Sequence, residues 1–365
     1  MIGAIKAWTD ELLGRGAAAI TVPVFDGALK SNRYIEDARI LATLTDPEDL
    51  ATDGKTVFVA DGSRICKITP DGLQEVLSCE GRVTALACLP DGGLALAIDG
   101  VTVRIEGGQQ HGRSWTAAAG QRFCAVNAIS VTQGGLLLVT DGSADRPYDE
   151  WKRDLMSLGR SGRVFELSLA DGGARMLSKN RAYAFGASEI NGQIWFSESW
   201  KHHVVRLDGE SRSVPLTDEL PGYPSRISQA SGGGAWLTCF TLRTQLVEFV
   251  LREHTYRKRM MAEMEPAHWI APALNSGNTF LEPMQGAQLK MMGVVKPWAP
   301  PRSYGLVVRL DEQGLVRYSL HSRFDGKNHG VLAAVECDGQ LYMIAKGSRR
   351  LLALDIAAVE KELIG

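Results

Sequence analysis

The chain has 365 residues, of which 45% are hydrophobic, and a formal net charge of -2. That is enough apolar material for a large core, and the near-neutral charge gives no reason to expect nucleic acid or an acidic membrane surface as a partner. No run approaches the roughly 20 apolar residues of a membrane span, and the 39 glycines favour short strands and turns.

Met1 to Leu13 carries Lys6, Asp10 and Glu11 inside its apolar pattern, so it reads as a short amphipathic helix and not as a signal peptide. An extended arm follows to residue 38, then an isolated strand over Arg39–Leu44. Cys66, Cys79, Cys88, Cys124, Cys239 and Cys337 form no CxxC pair. With no export signal, they are expected to be reduced and the protein cytoplasmic.

Asp46-Pro47-Glu48-Asp49-Leu50 opens the first of a series of similar units. It turns at Asp53-Gly54, runs Val57–Ala60, turns at Asp61-Gly62 and continues as Ile65–Ile68. A last strand lies near Gln74–Leu77. This is a four-stranded meander with turn chemistry at each corner. The second unit begins at Val83 and the third at Ala125, the latter interrupted by an insertion over 143–161. The fourth begins near Tyr183. The fifth holds Leu220–Ile227 and Gly232–Leu237, and resumes at Leu306–Leu310 after an insertion over 242–303. That insertion contains a predicted helix, Thr244–Met264, which reads as a lid or pocket wall. The last unit runs from Gly330 to Leu354 and ends before a fourth strand, which Arg39–Leu44 can supply.

First turns recur at Gly54, Gly92, Gly134, Gly192, Gly232 and Gly339, a period of about 40 residues outside the insertions. The expectation is an all-β, six-bladed propeller in one closed domain. Strand direction alternates within a blade. The loop entering strand one and the loop between strands two and three therefore open on one face. Both insertions project over the face that displays Glu48, Asn127 and Arg226.

Several words are more specific. Leu220-Pro221-Gly222-Tyr223-Pro224 with the later Gly233-Gly234-Ala235-Trp236, Glu150-Trp151-Lys152-Arg153-Asp154-Leu155 with Gly162-Arg163-Val164, and Val335-Glu336-Cys337-Asp338-Gly339-Gln340-Leu341-Tyr342 resemble the strictosidine synthase-like six-bladed propellers. The resemblance covers most of residues 45–356, and groups the chain with gluconolactonases and paraoxonases. It implies a central calcium ion held by a first-blade glutamate and later Asn or Asp residues, which would polarise a lactone, ester or phosphoryl oxygen. Glu48 and Asn127 match that pattern and would be the metal ligands if a divalent ion is bound. Phe185 and Ser225-Arg226 stand where the pattern has oxygen ligands, and Arg226 would repel a divalent ion. The final-blade glutamate of plant strictosidine synthases falls at Leu332 or Ala333, so that condensation chemistry is not expected.

Glu48 is a candidate general base or acid; the plain alternative is a carboxylate bonded to loop amides or paired with Arg226. Asn127 could orient a substrate carbonyl, or bond its own turn. Arg226 could hold a carboxylate or phosphate, or make a structural ion pair with Glu48. His329, before the sixth inner strand, could shuttle protons, or be a plain loop histidine. Ser225, Phe185 and Trp269 are candidate substrate contacts, with packing the alternative for Trp269. Adjacent His202 and His203 point opposite ways in extended chain and do not suggest a shared metal. No GxSxG elbow is present.

The reading is a small-molecule enzyme hydrolysing a lactone or ester at the central face. The substrate is small and possibly anionic, no nucleic acid or membrane span is implied, and the oligomeric state is open. Two alternatives stand: a metal-free condensation, isomerase or lyase reaction with Glu48 as base and Arg226 as anion site, or a non-catalytic ligand-binding propeller.

Overall fold

The computed structural model describes residues 22–209, 212–275, 290–291, 294–295, 303–323 and 326–363. The helix expected over Met1–Leu13 lies outside the described residues, as does much of the 242–303 insertion beyond Asn275. Six four-stranded antiparallel sheets follow one another along the chain as the blades of a propeller. Their inner strands are Pro47–Thr52, Val83–Cys88, Val126–Val131, Ala184–Ile190, Gly222–Gln229 and Val331–Cys337. Each touches the inner strands of both neighbouring blades, so the six close around an axis. In the sixth blade Arg350–Asp355 pairs with Arg39–Thr43, which joins the first and last described strands in one sheet.

The core lies between blades. Trp195 and Trp236 are each 1% exposed and pack across neighbouring sheets. A carboxylate at the end of the second strand ties four blade corners together. Asp61 accepts from the Thr45 and Asp46 amides, Asp141 from Ala125, and Glu198 from Ala182, and Asp99 just beyond its strand accepts from Arg82. These bonds satisfy N–H groups that the ladders leave free, those of Ala125 and Ala182 buried. Where blades four and five approach, only glycine fits. A Cβ on Gly186 would lie 2.6 Å from the Ser225 carbonyl oxygen.

The blade-three insertion contributes a short helix, α1 (Trp151–Met156). In the blade-five insertion the single helix expected over Thr244–Met264 is instead two, α2 (Gln245–Arg252) and α3 (His254–Glu263). Glu253, at ψ 77°, leaves the helical region and breaks it. Thr244 caps α2 by accepting from the Val247 amide at 3.1 Å. Val247, Val250 and Met260 are buried. Val250 and Met260 join Trp269 in one apolar cluster with Phe185, Phe240 and Leu332, so this insertion roofs the axis.

Candidate active site

Every inner strand carries a bulge near its start. Pairing with the second strand skips Glu48, Thr84, Asn127, Phe185 with Gly186, Ser225 with Arg226, and Leu332. A bulged residue leaves the ladder and its side chain is re-aimed. Here the bulges gather one or two residues per blade at the axis.

Most of this ring stitches blade to blade. Thr84 Oγ1 donates to Val126 O at 2.7 Å. Asn127 Nδ2 donates to Ala184 O at 3.2 Å, while its Oδ1 accepts from Thr140 at 2.7 Å. Ser225 Oγ lies 2.7 Å from Thr238 Oγ1 and donates to Leu332 O at 3.3 Å. Asn127 and Ser225 are fully buried and committed to these bonds.

Arg226 crosses the axis. Its two terminal nitrogens donate to Glu48 O at 2.9 Å and Thr84 O at 2.7 Å. Its Nε faces Asp49 Oδ1 at 3.0 Å, an ion pair without hydrogen-bond alignment. The ion-pair partner is therefore Asp49, and Glu48 offers Arg226 only its carbonyl. Strand alternation explains this: Asp49 follows the bulge and points the other way along the axis. Burial pushes the Asp49 carboxyl up to about 6, although Arg226 and the Leu86 and Leu50 amides pull against it.

Two cavities share the axis. On the insertion face a cavity of about 170 Å³ has walls of Tyr148, Trp151, Tyr183, Phe185 and Phe240. Asp46, Arg82, Asp149 and Lys346 supply its charge. On the opposite face a cavity of about 630 Å³ is lined by Ala51, Ala87, Ser130 and Ser228, with Asp49 and Arg226. The Arg226 guanidinium lies 5.3 Å from the Phe185 ring centroid, so this pair separates the two.

Glu48 sits under the smaller cavity with no exposed surface. Its Oε2 accepts from the Tyr148 hydroxyl at 2.5 Å and its Oε1 from Lys346 Nζ. Lys346 Nζ also lies 3.5 Å from Asp46 Oδ1. Burial pushes the Tyr148 phenol up to about 12, so it remains a donor near neutral pH. Burial pulls the Lys346 ammonium below its usual range, with Asp46 opposing. At the rim Arg82 pairs with Asp149 and lies 5.1 Å over the Tyr148 ring.

The structure thus brings Glu48 and Phe185 to the aromatic cavity and Arg226 to the layer below it. His329 is placed elsewhere: Nδ1 lies 3.0 Å from Ser303 Oγ, Nε2 lies 2.7 Å from Arg323 O, and the residue lines neither cavity. Trp269 packs in the roof and donates to Met264 O at 2.9 Å. His202 faces Glu248 and His203 faces Glu198. Sequence reasoning does not single out Tyr148, Lys346 or Arg82. The signal for two of them was present: Lys346 and Tyr148 follow second strands, and those loops open on the insertion face.

The donor set does not fit calcium. Both Glu48 oxygens are engaged by a phenol and an ammonium, Asn127 Oδ1 is engaged by Thr140, and a fixed guanidinium crosses the axis. Among the described residues no group of three His, Cys, Asp or Glu side chains could hold a metal ion.

No protein-family model matches the chain. It is 24% identical over 383 residues to the adipocyte plasma membrane-associated protein of Salmo salar, covering 92% of this chain and 82% of the relative. It is 24% identical over 243 residues to protein STRICTOSIDINE SYNTHASE-LIKE 4 of Arabidopsis thaliana, covering 60% and 63%. The structure superposes on a gluconolactonase from Xanthomonas campestris with a TM-score of 0.56 at 15% identity, covering 92% and 95% of the two chains. Among the described residues no helix is long and apolar enough to cross a membrane. The chain is thus similar over most of its length to the Salmo salar protein and over 60% of it to a strictosidine synthase-like protein, and its fold is a six-bladed propeller.

Proposed function

We propose that this propeller is a small-molecule enzyme that hydrolyses a lactone or ester in the aromatic cavity, using acid–base groups of the chain in place of calcium. The observation that carries the reading is the Tyr148–Glu48–Lys346 chain. A buried carboxylate bridges a phenol and an ammonium, and both of those line the same cavity. In this mechanism water enters beside Tyr148 and gives up a proton through the phenol to Glu48. The resulting hydroxide adds to the carbonyl carbon. The Lys346 ammonium supports the oxyanion in a setting with little competing water. The ring C–O bond then breaks, and the alkoxide recovers the proton from the Glu48–Tyr148 pair.

The cavity is smaller than the roughly 300–1,000 Å³ of a drug-sized site. It suits a small ring or the reactive end of a longer molecule. Arg226 is committed to Asp49, so any anionic group on the substrate would meet Arg82, whose partner Asp149 is 73% exposed. Six free cysteines suit a reducing compartment, and the cytoplasm stays part of this proposal.

The test is a panel of lactones and aryl esters assayed before and after chelation. Turnover that survives chelation and falls about 100-fold in Lys346→Met supports the reading. Absence of turnover on the whole panel, with binding retained, would point to a ligand-binding propeller instead.

A further inference from the structure

We infer that Arg226 is a tethered cation, filling a cation site on the propeller axis that main-chain and carboxylate oxygens of the first two blades would otherwise offer to a free ion. The inference rests on the failure of the donors to fit calcium and not on the hydrolysis reading.

Three oxygens and one ring converge on the guanidinium. They are Glu48 O, Thr84 O, the Asp49 carboxylate and the face of Phe185. They come from blades one, two and four, while Arg226 itself comes from blade five. Carbonyl and carboxylate oxygens are the donors that hard cations use, so the acceptors keep a cation-binding character while the cation belongs to the chain. The bulges explain why the acceptors need it. Glu48 and Thr84 are both skipped by the pairing with their second strands. Their buried carbonyls require another partner. A planar fork can reach both carbonyls and the carboxylate together, which a single ammonium cannot.

The cation has a second effect. By holding the Glu48 carbonyl, Arg226 fixes the backbone from which the Glu48 carboxylate reaches Tyr148 and Lys346. Arg226 is thus a positioning residue for the acid–base chain, two bonds removed from any substrate.

The test is thermal unfolding of chelator-treated wild type and Arg226→Ala, each titrated with guanidinium, with calcium and with sodium chloride at equal ionic strength. Arg226→Ala should lower Tm by about 5 °C, because it leaves Asp49 buried and unpaired. Guanidinium at about 10 mM, far below denaturing levels, should recover part of that loss in the variant and nothing in wild type. Calcium stabilising the variant but not wild type also supports the cation site. Wild type gaining stability from calcium would overturn the inference, as would a variant that ignores both cations. If Arg226→Ala does not fold, Arg226→Lys serves: it should fold with a lowered Tm and respond to guanidinium, and an unchanged Tm would count against the proposal. Where turnover is measurable, the variant should lose kcat about tenfold with KM unchanged and regain it with guanidinium. The Tm arm needs no substrate, so it stands or falls apart from the hydrolysis reading.

Discussion

The two ends of the propeller axis are built from the same six strands and yet differ in what closes them. At the insertion end, five aromatic rings help to enclose about 170 Å³, and a buried carboxylate lies beneath, bonded to one of them. At the other end, small residues such as Ala51, Ala87 and Ser130 leave about 630 Å³ facing outward. The strands alone do not make this asymmetry. It comes from the bulges, which turn Glu48 and Phe185 toward one end, and from the insertion that delivers Tyr148 to Glu48 from 100 residues away. Chemistry is expected where the inserted chain covers the axis, because there charged groups are held in place beside a buried carboxylate.

The comparison can be broken at either end. The largest effect is expected from Glu48→Gln, which should lower kcat on any lactone that is turned over by about 1,000-fold, checked by steady-state kinetics. Tyr148→Phe removes the proton path but leaves the ring wall, and about a 100-fold loss in kcat is expected. Ser130→Val, at the opposite end, should leave kcat/KM unchanged. An equal loss from that substitution would mean that the open cavity takes part in the reaction.

A pH titration of stability separates two kinds of buried carboxylate. The folded-state pKa of Asp49 is about 6, above its ordinary 3.8, so its burial costs stability that appears as pH rises from about 4 to 6. Asp49→Asn should remove that slope from the urea midpoint. Glu198 behaves in the opposite sense. Burial alone would raise it, but His203 and the Ala182 amide prevail and pull it from 4.5 to about 2. Its contribution is present above about 4.5 and is lost as pH falls toward 2, so Glu198→Gln should lower stability at neutral pH and flatten the acid limb. The smallest effect is expected from Thr244→Ala, which loses the cap of α2 and should cost about 1 kcal/mol in denaturant unfolding, with the axis otherwise unchanged.

Much of the architecture was legible in the residues. Asp-Gly and Gly-Gly pairs at regular spacing act through local turn geometry, and the six sheets follow from them. The positions that meet at the axis were legible too: Glu48, Asn127 and Phe185 each stand second in an inner strand, and Arg226 stands at the bulge midway along its own. Their partners were not. A pairing of Arg226 with Glu48 was reasonable on position alone, but it requires the two side chains to point the same way. The bulge turns Glu48 toward Tyr148 and leaves Asp49 facing Arg226. The break at Glu253 was also hidden, since neither proline nor glycine marks it in the sequence.

The sequence by itself therefore determined the repeat, the number of blades and the face that the insertions cover, since each depends on short-range turn chemistry and strand alternation. The tertiary structure alone decided which groups act together. Tyr148, Arg226 and Lys346 reach Glu48 across 100, 178 and 298 residues of chain. Contacts of that separation exist only once the ring has closed, and their geometry is set by where each strand bulges, which no local pattern of residues records.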